Sequence, residues 1–459
     1  MSDKILPKVL HVLANSAPDL NGYAIRSHDL LVAQKKQNIA NVVAITSPFY
    51  PNNPNLKQDA TIDGITYHRC GLSQTGNALS IKRSTPPKNS IARFIYYRMK
   101  KIGRFFIRCM RPIKRKLSLL NNYLNQRKLM KKFERQIIKL AKSEEANIIH
   151  GHTPFRVGIP ALRAARKIGV PYVHEMRGLW EDSAVAEGRW KKDSLRYKIF
   201  RSYENSILKK ADWVCAISHE LSKDVIVRSP NLRDKVTIVP NAVGTGFEKM
   251  AQKNENYSDE IKQIKDNLDT CEGEMVVGYV GSIRKLEGVD ETAKAIFYAK
   301  QQGVKFKFLV CSSKKNQDGL QQLCDDLGIS SQCLITGPVD HDIVHQIYSL
   351  IDIFVVSRPP FRVTKIVPPI KPLEAMIMGV PTICSDLPVL AEIITHQENG
   401  FLFKAGEPEH LGKILIEESA DKKRLLDIGL KGKEFVISNR CWSATVHAYS
   451  DVYRKILEV

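Results

Sequence analysis

The sequence lacks an apolar run long enough to cross a membrane. Its most apolar segment, residues 347–356, is short and contains Asp352, whereas a membrane-spanning helix needs roughly 18 or more apolar residues. The N-terminal stretch passes from a polar start into a short apolar run without the layout of a secretory signal. We expect this run to be a first strand, and the protein to be soluble and cytoplasmic.

Cysteine pairs of the CxxC type are also missing. An odd number of cysteines at irregular spacing argues against a disulfide framework and against a zinc site, and it fits a reducing compartment. We expect these thiols to behave as small buried hydrophobic residues. The 9 cysteines are Cys70, Cys109, Cys215, Cys271, Cys311, Cys324, Cys333, Cys384 and Cys441.

Acidic residues are almost absent from one stretch of the chain. Residues 82–142 hold 20 Lys and Arg but only one acid, Glu134, so this stretch supplies +19 of the formal net charge of +22. A positive field of this size implies an anionic partner: a lipid surface, a nucleic acid or a polyanionic substrate. The rest of the chain is close to neutral.

Residues 91–111 within this stretch mix aromatic and aliphatic side chains with cations. Such a mixture is typical of an amphipathic helix that lies on an anionic membrane, where each Lys or Arg contributes on the order of 1 kcal/mol. A second interpretation is a solvated basic helix whose apolar stripe packs on its own domain. Nucleic-acid binding is disfavoured because no recognition motif accompanies the charge.

The remainder of the 459 residues alternates short apolar runs with helical patterns in two blocks. Apolar runs without polar alternation indicate buried parallel strands, so each block predicts a doubly wound α/β domain. We expect a Rossmann-like first domain at residues 1–240, with the basic insert at about 82–142, and a second such domain at 241–440. Two domains of this kind bind small ligands at the carboxyl ends of their strands.

Candidate ligand-binding residues follow the strands of the first block. Gly22 lies in a strand-to-helix loop, where a glycine lets backbone N–H groups approach a phosphate, although one glycine is more often just a turn. His150 and His152 end a predicted strand and could donate a hydrogen bond to a substrate hydroxyl or a developing charge. We favour a structural role for His150 and a functional one for His152. A zinc site is not expected because no third ligand is evident.

Charged side chains cluster after the next strand. Glu175, Arg177, Glu181 and Asp182 surround Trp180, and carboxylates, guanidinium groups and an indole together suit a polar ligand such as a sugar. An internal group of salt bridges that caps the following helix is the other interpretation.

The segment from Ser357 to Gly379 is the most informative. Arg358 and Lys371 could bind a diphosphate, and Glu374, one helical turn after Lys371, could accept hydrogen bonds from two ribose hydroxyls. A nucleotide diphosphate satisfies both requirements.

These segments together resemble the retaining glycosyltransferases of family 4, which have the GT-B fold of two Rossmann-like domains facing each other across a cleft. The resemblance covers most of the chain except the basic insert, and it is closest to bacterial enzymes that build exported polysaccharides at the inner membrane. It also implies that residues 441–459 form a helix that returns to the first domain. The segments are NGYAIRSHDL, NIIHGHTP, EMRGLWEDS, ADWVCAISHELSKDV, VPNAV, GYVGSIRKLEGVD and SRPPFRVTKIVPPIKPLEAMIMGVPTICSDLPVLAEIITHQENGFLF.

The resemblance assigns expected roles residue by residue. Glu374 matches the glutamate that holds the ribose, and Lys371 with Arg284 or Lys285 would stabilise the leaving diphosphate. His152 matches a cleft histidine that contacts the transferred sugar, and the acceptor would lie against the first domain. The remaining donor-site residues are Gly22, Gly281, Val339 beside the base, and Arg358; those on the acceptor side are Arg26, Glu175, Arg177 and Glu181.

Two positions depart from the family pattern. The family commonly has a second glutamate eight positions before Glu374, where this chain has Ile366, and a basic pair in the loop 281–288, where it has Ser282 and Glu287. Both departures occur in a subset of the family that has the KPLEAM segment. They leave the donor sugar and part of the phosphate site open.

The resemblance implies transfer of a sugar, with retention, from a UDP- or GDP-sugar to a lipid-linked or polysaccharide acceptor at the cytoplasmic face of the membrane. The expected partners are therefore the nucleotide sugar, the acceptor and an anionic membrane, with no nucleic acid. No Asp-x-Asp pair stands in a suitable place, so no metal or other cofactor is expected. A nucleotide-sugar 2-epimerase of the same fold and a non-catalytic scaffold are the alternatives.

Overall fold

The computed structural model describes residues 6–19, 21–49, 59–70, 124–250, 257–340 and 342–458. These residues form two sheets with helices on both faces. The fourteen strands, β1 to β14 in chain order, are Lys8–Leu13, Asn41–Thr46, Ala60–Ile62, Ile65–Arg69, Ile148–His152, Tyr172–Met176, Trp213–Ala216, Val236–Ile238, Met275–Val280, Phe306–Cys311, Cys333–Thr336, Ile353–Val356, Thr382–Ser385 and Phe401–Phe403.

The helices of the described residues cover both faces of these sheets. Helices α1 to α18 are Gly22–Lys36, 124–143, Phe155–Ile168, Trp180–Ala186, Leu195–Leu208, His219–Arg228, Thr245–Met250, Asp259–Leu268, Val289–Gln301, Gln317–Asp326, Val344–Tyr348, Arg362–Ile366, Lys371–Ile377, Pro388–Ala391, Pro408–Ser419, Lys422–Asn439, Trp442–Thr445 and Ala448–Leu457, with 3-10 turns at Pro230–Leu232 and Ser330–Gln332.

The first sheet has eight strands in the order β3-β4-β2-β1-β5-β6-β7-β8. Every pair is parallel except β3 and β4, which form an antiparallel hairpin at one edge. Strands β5 and β6 are buried along their whole length, as expected for a sheet covered on both faces. The chain order reverses between β1 and β5, so ligands are expected beyond the carboxyl ends of these two strands.

The edge hairpin was not part of the sequence expectation. Its turn is Asp63–Gly64, and both residues have positive φ, 47° and 73°. An Asp-Gly pair is a favoured two-residue hairpin turn because both positions must adopt left-handed backbone conformations. The signal was therefore present in the sequence, although the flanking strands are only three and five residues long.

The second sheet has six parallel strands in the order β11-β10-β9-β12-β13-β14. Its order reverses between β9 and β12, which places the loops 281–288 and 357–370 side by side at one edge. The sequence prediction of two doubly wound α/β sheets is confirmed. Five of the cysteines are buried as expected, whereas Cys271 is exposed.

Part of the basic insert is described. Helix α2, 124–143, buries an apolar face of Met130, Phe133, Ile137 and Ala141 in the core of the first sheet. Its opposite face exposes the cations Arg127, Lys128, Lys131, Lys132, Arg135, Lys139 and Lys142. The stretch 91–111, for which a membrane-bound helix is expected, lies outside the described residues.

The C-terminal helices α17 and α18 pack on the first sheet, although they follow the second sheet in the chain. Trp442, Tyr449, Val452 and Tyr453 are fully buried in one apolar cluster with residues of β1, β5, β6 and β7. Among the helices described here, none combines the length and the apolar character needed to span a bilayer.

Candidate functional site

Two loops of the second sheet bring opposite charges together. The Lys371 Nζ atom lies 2.9 Å from Glu287 Oε2, and Arg358 Nε lies 3.9 Å from the same oxygen. Gly281, with φ of +138°, leaves room for the lysine stem, because a Cβ at this position would overlap Lys371 Cε. The backbone at Gly281, just after strand β9, therefore packs directly against the side chain of Lys371 at the start of helix α13.

These groups are charged at neutral pH. Burial alone would raise the pKa of Glu287, but Lys371 and Arg358 outweigh it and lower that pKa to about 2. Burial also opposes the charge of Lys371, yet the Glu287 carboxylate raises its pKa above the ordinary lysine value. An anionic ligand that binds Lys371 therefore has to compete with Glu287.

Glu374 follows Lys371 in the first turn of the same helix. Its Oε2 atom accepts a hydrogen bond of 2.8 Å from the hydroxyl of Tyr348, which is fully buried. Burial and the negative charge of Glu374 raise the pKa of Tyr348, so the tyrosine is a permanent donor. This hydrogen bond fixes the Glu374 side chain. In the same helix turn, Lys371 contacts Glu287 of the loop 281–288.

The other cations expected in the donor site have different surroundings. Arg358 is buried and donates to the carbonyls of Leu286 at 3.3 Å and Val367 at 2.8 Å, so it joins the two loops. Arg284 Nε lies 3.1 Å from Glu187 Oε1 of the first domain, with 41% of its side chain exposed. Lys285 extends over the ring of Phe361, 5.9 Å from its centroid.

Two further donor-site candidates are backbone positions. Gly22 begins helix α1 and is exposed, with open space where a Cβ would stand. The side chain of Asn21 caps this helix by accepting from the amides of Tyr23 and Ala24. Val339 is partly buried and packs against the apolar cluster between the second sheet and its helices.

Three histidines meet at the reversal point of the first sheet. His11 of β1 pairs in register with His150 of β5, and His152 ends β5. His11 Nδ1 lies 3.0 Å from His152 Nε2, and the His150 and His152 rings stack at 4.8 Å. Burial lowers the pKa of each imidazole, most strongly for His11 and His152, so all three are neutral.

His11 was not among the residues predicted from the sequence. It supplies a third imidazole beside His150 and His152, and the apparent lack of a third ligand was the argument against a metal site. Ligand atoms of His11, His150 and His152 lie within 4.8 Å of one another. Hydrogen bonds to protein groups occupy five of their six ring nitrogens, and only His152 Nδ1 has no partner among the described residues. A cation here would displace several of these hydrogen bonds.

Glu175, Arg26 and Arg177 form a buried group beside the histidines. Glu175 Oε1 lies 2.9 Å from Arg26 Nη1, and Arg177 Nε lies 4.0 Å from the same oxygen. Burial opposes the charge of Glu175, but Arg26 and His150 outweigh it and lower the carboxyl pKa. Three guanidinium nitrogens, Arg26 Nη2 and Arg177 Nε and Nη2, have no hydrogen-bond partner in the described part of the chain. These unpaired donors are able to bind a polar ligand or water.

Glu181 belongs to a different group of charges. It is buried and lies 3.4 Å from Arg201. Its neighbour Asp182 forms an ion pair of 2.6 Å with Arg362 of the second domain. Arg362 also pairs with Asp224, so one arginine of helix α12 binds two carboxylates of the first domain. Sequence reasoning did not identify this contact, because the three residues lie far apart in the chain.

A second contact between the domains joins the two candidate groups. Arg26 Nε donates to Asn241 Oδ1 at 2.9 Å, and Asn241 Nδ2 donates to the carbonyl of Pro368 at 3.1 Å. Pro368 belongs to the loop that precedes Lys371. The first-sheet cluster and the second-sheet loops are therefore connected by one chain of hydrogen bonds.

Comparison with known proteins adds two family matches. Residues 99–247 match the family described as Glycosyltransferase Family 4, and residues 260–435 match Glycosyl transferases group 1. The alpha-monoglucosyldiacylglycerol synthase of Streptococcus pneumoniae is 23% identical over 281 residues, which is 61% of this chain and 60% of that protein. The chain thus spans less than two thirds of that curated relative.

Solved structures resemble the fold over nearly the whole chain. The sucrose-phosphate synthase of Thermosynechococcus elongatus has a TM-score of 0.69 at 16% identity, covering 99% of both chains. Anabaena Alr3699/HepE in complex with UDP and glucose has a TM-score of 0.60 at 15% identity, again with 99% coverage of both chains. These likenesses show that the two sheets have the arrangement seen in those proteins.

Proposed function

Because the chain belongs to the family 4 glycosyltransferases of the GT-B fold, we propose that it transfers a sugar from a nucleotide diphosphate sugar to a lipid-linked or polysaccharide acceptor, with retention of anomeric configuration. The transfer would take place at the cytoplasmic face of a membrane.

One observation carries the donor half of the proposal. A single turn of helix α13 presents a lysine and a carboxylate, Lys371 and Glu374, and each is held by a buried partner, Glu287 and Tyr348. The lysine suits a diphosphate, and the carboxylate suits the two vicinal hydroxyls of a ribose. Because both groups lie in one turn of the helix, the diphosphate and the adjacent ribose of one nucleotide could contact them together.

Catalysis would depend on position and charge. Departure of the nucleotide leaves negative charge on its terminal phosphate, and fixed cations lower the free energy of that state. Lys371 and the partly exposed Arg284 would supply these charges, with Lys285 beside them. His152 would contact the sugar, and the guanidinium donors of Arg26 and Arg177 that have no hydrogen-bond partner could contact it as well.

The acceptor class and the location at a membrane are the second half of the proposed function. Helix α2 exposes seven cations on the face opposite its buried stripe, and such a face is attracted to an anionic lipid surface. The named product of the Streptococcus pneumoniae relative is a glycolipid. Both observations support a peripheral enzyme that works at the cytoplasmic face of a membrane on a lipid-linked acceptor.

Calorimetric titration with UDP and with GDP tests the donor site. We expect one nucleotide to bind, and Glu374→Ala to weaken its binding about tenfold or more, because a hydrogen bond to a charged group contributes about 1.5–3 kcal/mol. Glu409→Ala, which alters an exposed glutamate at the start of helix α15, is the control and should bind as the wild type does. Failure of both nucleotides to bind the wild type would contradict the proposal.

A further inference from the structure

A chain of five hydrogen bonds runs through buried side chains from Glu175 to His152. In order, it joins Glu175 to His150 at 3.2 Å, His150 to Tyr453 at 2.9 Å, Tyr453 to Gln34 at 3.0 Å, Gln34 to His11 at 3.0 Å, and His11 to His152 at 3.0 Å. Tyr453 belongs to the C-terminal helix α18, and Gln34 to helix α1. We refer to this chain as the Glu175 relay.

The direction of the first two hydrogen bonds is fixed by charge. Glu175 is ionised, since Arg26 pairs with it and Tyr449 donates to it at 2.9 Å. An ionised carboxylate can only accept, so His150 Nε2 must carry a hydrogen. A neutral imidazole has one N–H, and therefore His150 Nδ1 is an acceptor. The hydroxyl of Tyr453 consequently donates to it.

The same rule determines the remaining three hydrogen bonds. Tyr453 has donated its only hydrogen, so its oxygen accepts from the Gln34 amide nitrogen. The Gln34 carbonyl oxygen then faces His11 and requires a hydrogen on His11 Nε2. His11 Nδ1 is left as an acceptor, and His152 Nε2 must donate to it. The relay therefore leaves His152 Nδ1 with a lone pair and no hydrogen.

His152 Nδ1 is the end of the relay, and it is unpaired. This atom is buried and has no hydrogen-bond partner among the described residues, an arrangement that is unfavourable unless a ligand or water completes it. Five buried side chains thus determine that this nitrogen, at the carboxyl end of β5, is a hydrogen-bond acceptor. The three imidazoles of the relay are neutral because burial lowers the pKa of each, whereas Glu175 at its start is ionised.

We propose that Glu175, through Tyr453, Gln34 and His11, is a positioning residue that holds His152 as a hydrogen-bond acceptor for a hydroxyl group of the transferred sugar. The sugar contact rests on the proposed function, whereas the tautomer rests on the five hydrogen bonds, the ionised Glu175 and the neutral imidazoles. With this tautomer His152 cannot donate from Nδ1 to a phosphate or to a developing negative charge. The C-terminal helix α18 thereby contributes to the site, because its Tyr453 donates a hydrogen bond to His150 and accepts one from Gln34.

Nitrogen NMR of the full-length protein labelled with ¹⁵N-histidine tests the tautomer directly. Nitrogens with and without a hydrogen have widely separated resonances, and comparison with His152→Asn identifies the signals of His152. We expect a protonated Nε2 and an unprotonated Nδ1 in the wild type. A protonated Nδ1 would overturn the relay, whatever the activity of the protein.

Two tyrosines on one helix provide a matched pair of variants. Tyr453→Phe removes two hydrogen bonds of the relay, those that join Tyr453 to His150 and to Gln34, and frees the Gln34 amide to turn over, so we expect a second His152 tautomer to appear. Tyr449→Phe removes a donor to Glu175 but none of the five hydrogen bonds, so its His152 spectrum should match the wild type. Gln34→Met breaks the relay at another point and should act as Tyr453→Phe does. An unchanged tautomer in both relay variants would overturn the proposal.

The sugar contact is tested with UDP-glucose and GDP-mannose, and with UDP and GDP as probes without a sugar. Formation of a hydrogen bond should shift the His152 Nδ1 resonance when a nucleotide sugar binds and leave it in place when the nucleotide alone binds. A bound nucleotide sugar without this shift would overturn the sugar contact. If no nucleotide binds, the proposed function fails together with that contact, and the tautomer measurement still decides the relay.

Discussion

The ammonium group of Lys371 lies 2.9 Å from the carboxylate of Glu287, in the loop that follows strand β9. The resemblance to family 4 predicts a basic residue where this chain has Glu287, so a position expected to attract the diphosphate carries a negative charge. This charge compensates Lys371 and also the buried Arg358, 3.9 Å away. The pair therefore orients Lys371 but reduces the positive charge available to an anionic donor.

Glu287→Gln should strengthen nucleotide binding and weaken the fold. Without the carboxylate, Lys371 and Arg358 keep their charges, and we expect UDP or GDP to bind several-fold more tightly. Loss of one partner from a buried ion pair typically destabilises a protein by about 3–5 kcal/mol, so the urea midpoint of the variant should fall. Calorimetry and urea unfolding measure the two effects.

A neighbouring aspartate serves as the control for this variant. Asp290 pairs with Lys294 on the surface of helix α9, with 52% of its side chain exposed, and Asp290→Asn should change neither affinity nor stability by more than a few tenths of a kcal/mol. Equal or weaker nucleotide binding by Glu287→Gln would show that Lys371 does not bind the diphosphate with its ammonium.

Trp442→Ala should destabilise the first domain, although Trp442 follows the second sheet in the chain. The indole is fully buried in the apolar cluster that helices α17 and α18 form with the first sheet. Removing a buried tryptophan typically raises the free energy of the folded state by about 3–5 kcal/mol. Leu426→Ala, at a leucine that is 62% exposed, should leave the urea midpoint nearly unchanged. A comparable loss in both variants would contradict the packing described for α17.

The two sheets could be predicted from sequence because their central strands are continuous apolar runs. Strands β5, β6 and β9 are buried at every position, and only a sheet covered on both faces requires such runs. The candidate cations and carboxylates could be found because they follow those strands directly.

The partners of those residues could not be predicted, since they depend on strand order and domain contact. His11 and His152 meet because β1 and β5 are neighbours, although 141 residues separate them in the chain. Arg26 and Glu175 were expected to face an acceptor, and the structure places them in a buried ion pair. Residue type alone indicated charge at these positions and gave no measure of burial.

Asp29 makes the stability of the protein depend on pH. Burial, together with the charges of Glu248 and Glu374, raises its pKa from 3.8 to about 7 in the folded state. The folded protein thus binds this proton more tightly than the unfolded chain does. Protonation of Asp29 therefore stabilises the folded protein relative to the unfolded chain. This contribution to the free energy of unfolding is complete below pH 4, declines as the pH rises toward 7 and is lost above it.

Asp29→Asn should remove this decline. Since one pKa unit corresponds to about 1.4 kcal/mol, the rise from 3.8 to about 7 means that the wild type should lose on the order of 4 kcal/mol from this group between pH 4 and pH 8. The variant should therefore gain stability over the wild type as the pH rises, measured by urea unfolding at several pH values. Asp234→Asn, at an exposed aspartate, should parallel the wild type throughout. A constant difference between Asp29→Asn and the wild type would refute the raised pKa.

The basic stretch 82–142 should bind the protein to anionic vesicles. Its 20 cations oppose a single acid, and each Lys or Arg near an anionic surface contributes about 1 kcal/mol. We expect sedimentation with vesicles that contain phosphatidylglycerol, little binding to phosphatidylcholine alone, and a decrease in binding as salt is added, because salt screens exposed charges.

Deletion of residues 93–116 separates this effect from the donor site. Because the deletion removes ten of the cations, vesicle binding should fall at least tenfold while the nucleotide affinity stays unchanged. Substituting Lys128, Lys131 and Lys132 of helix α2 by glutamine tests whether the exposed face of that helix contributes, and we expect a smaller loss. If the deleted protein binds vesicles as the wild type does, the basic stretch is not the membrane-binding element, and its charge must serve another anionic partner.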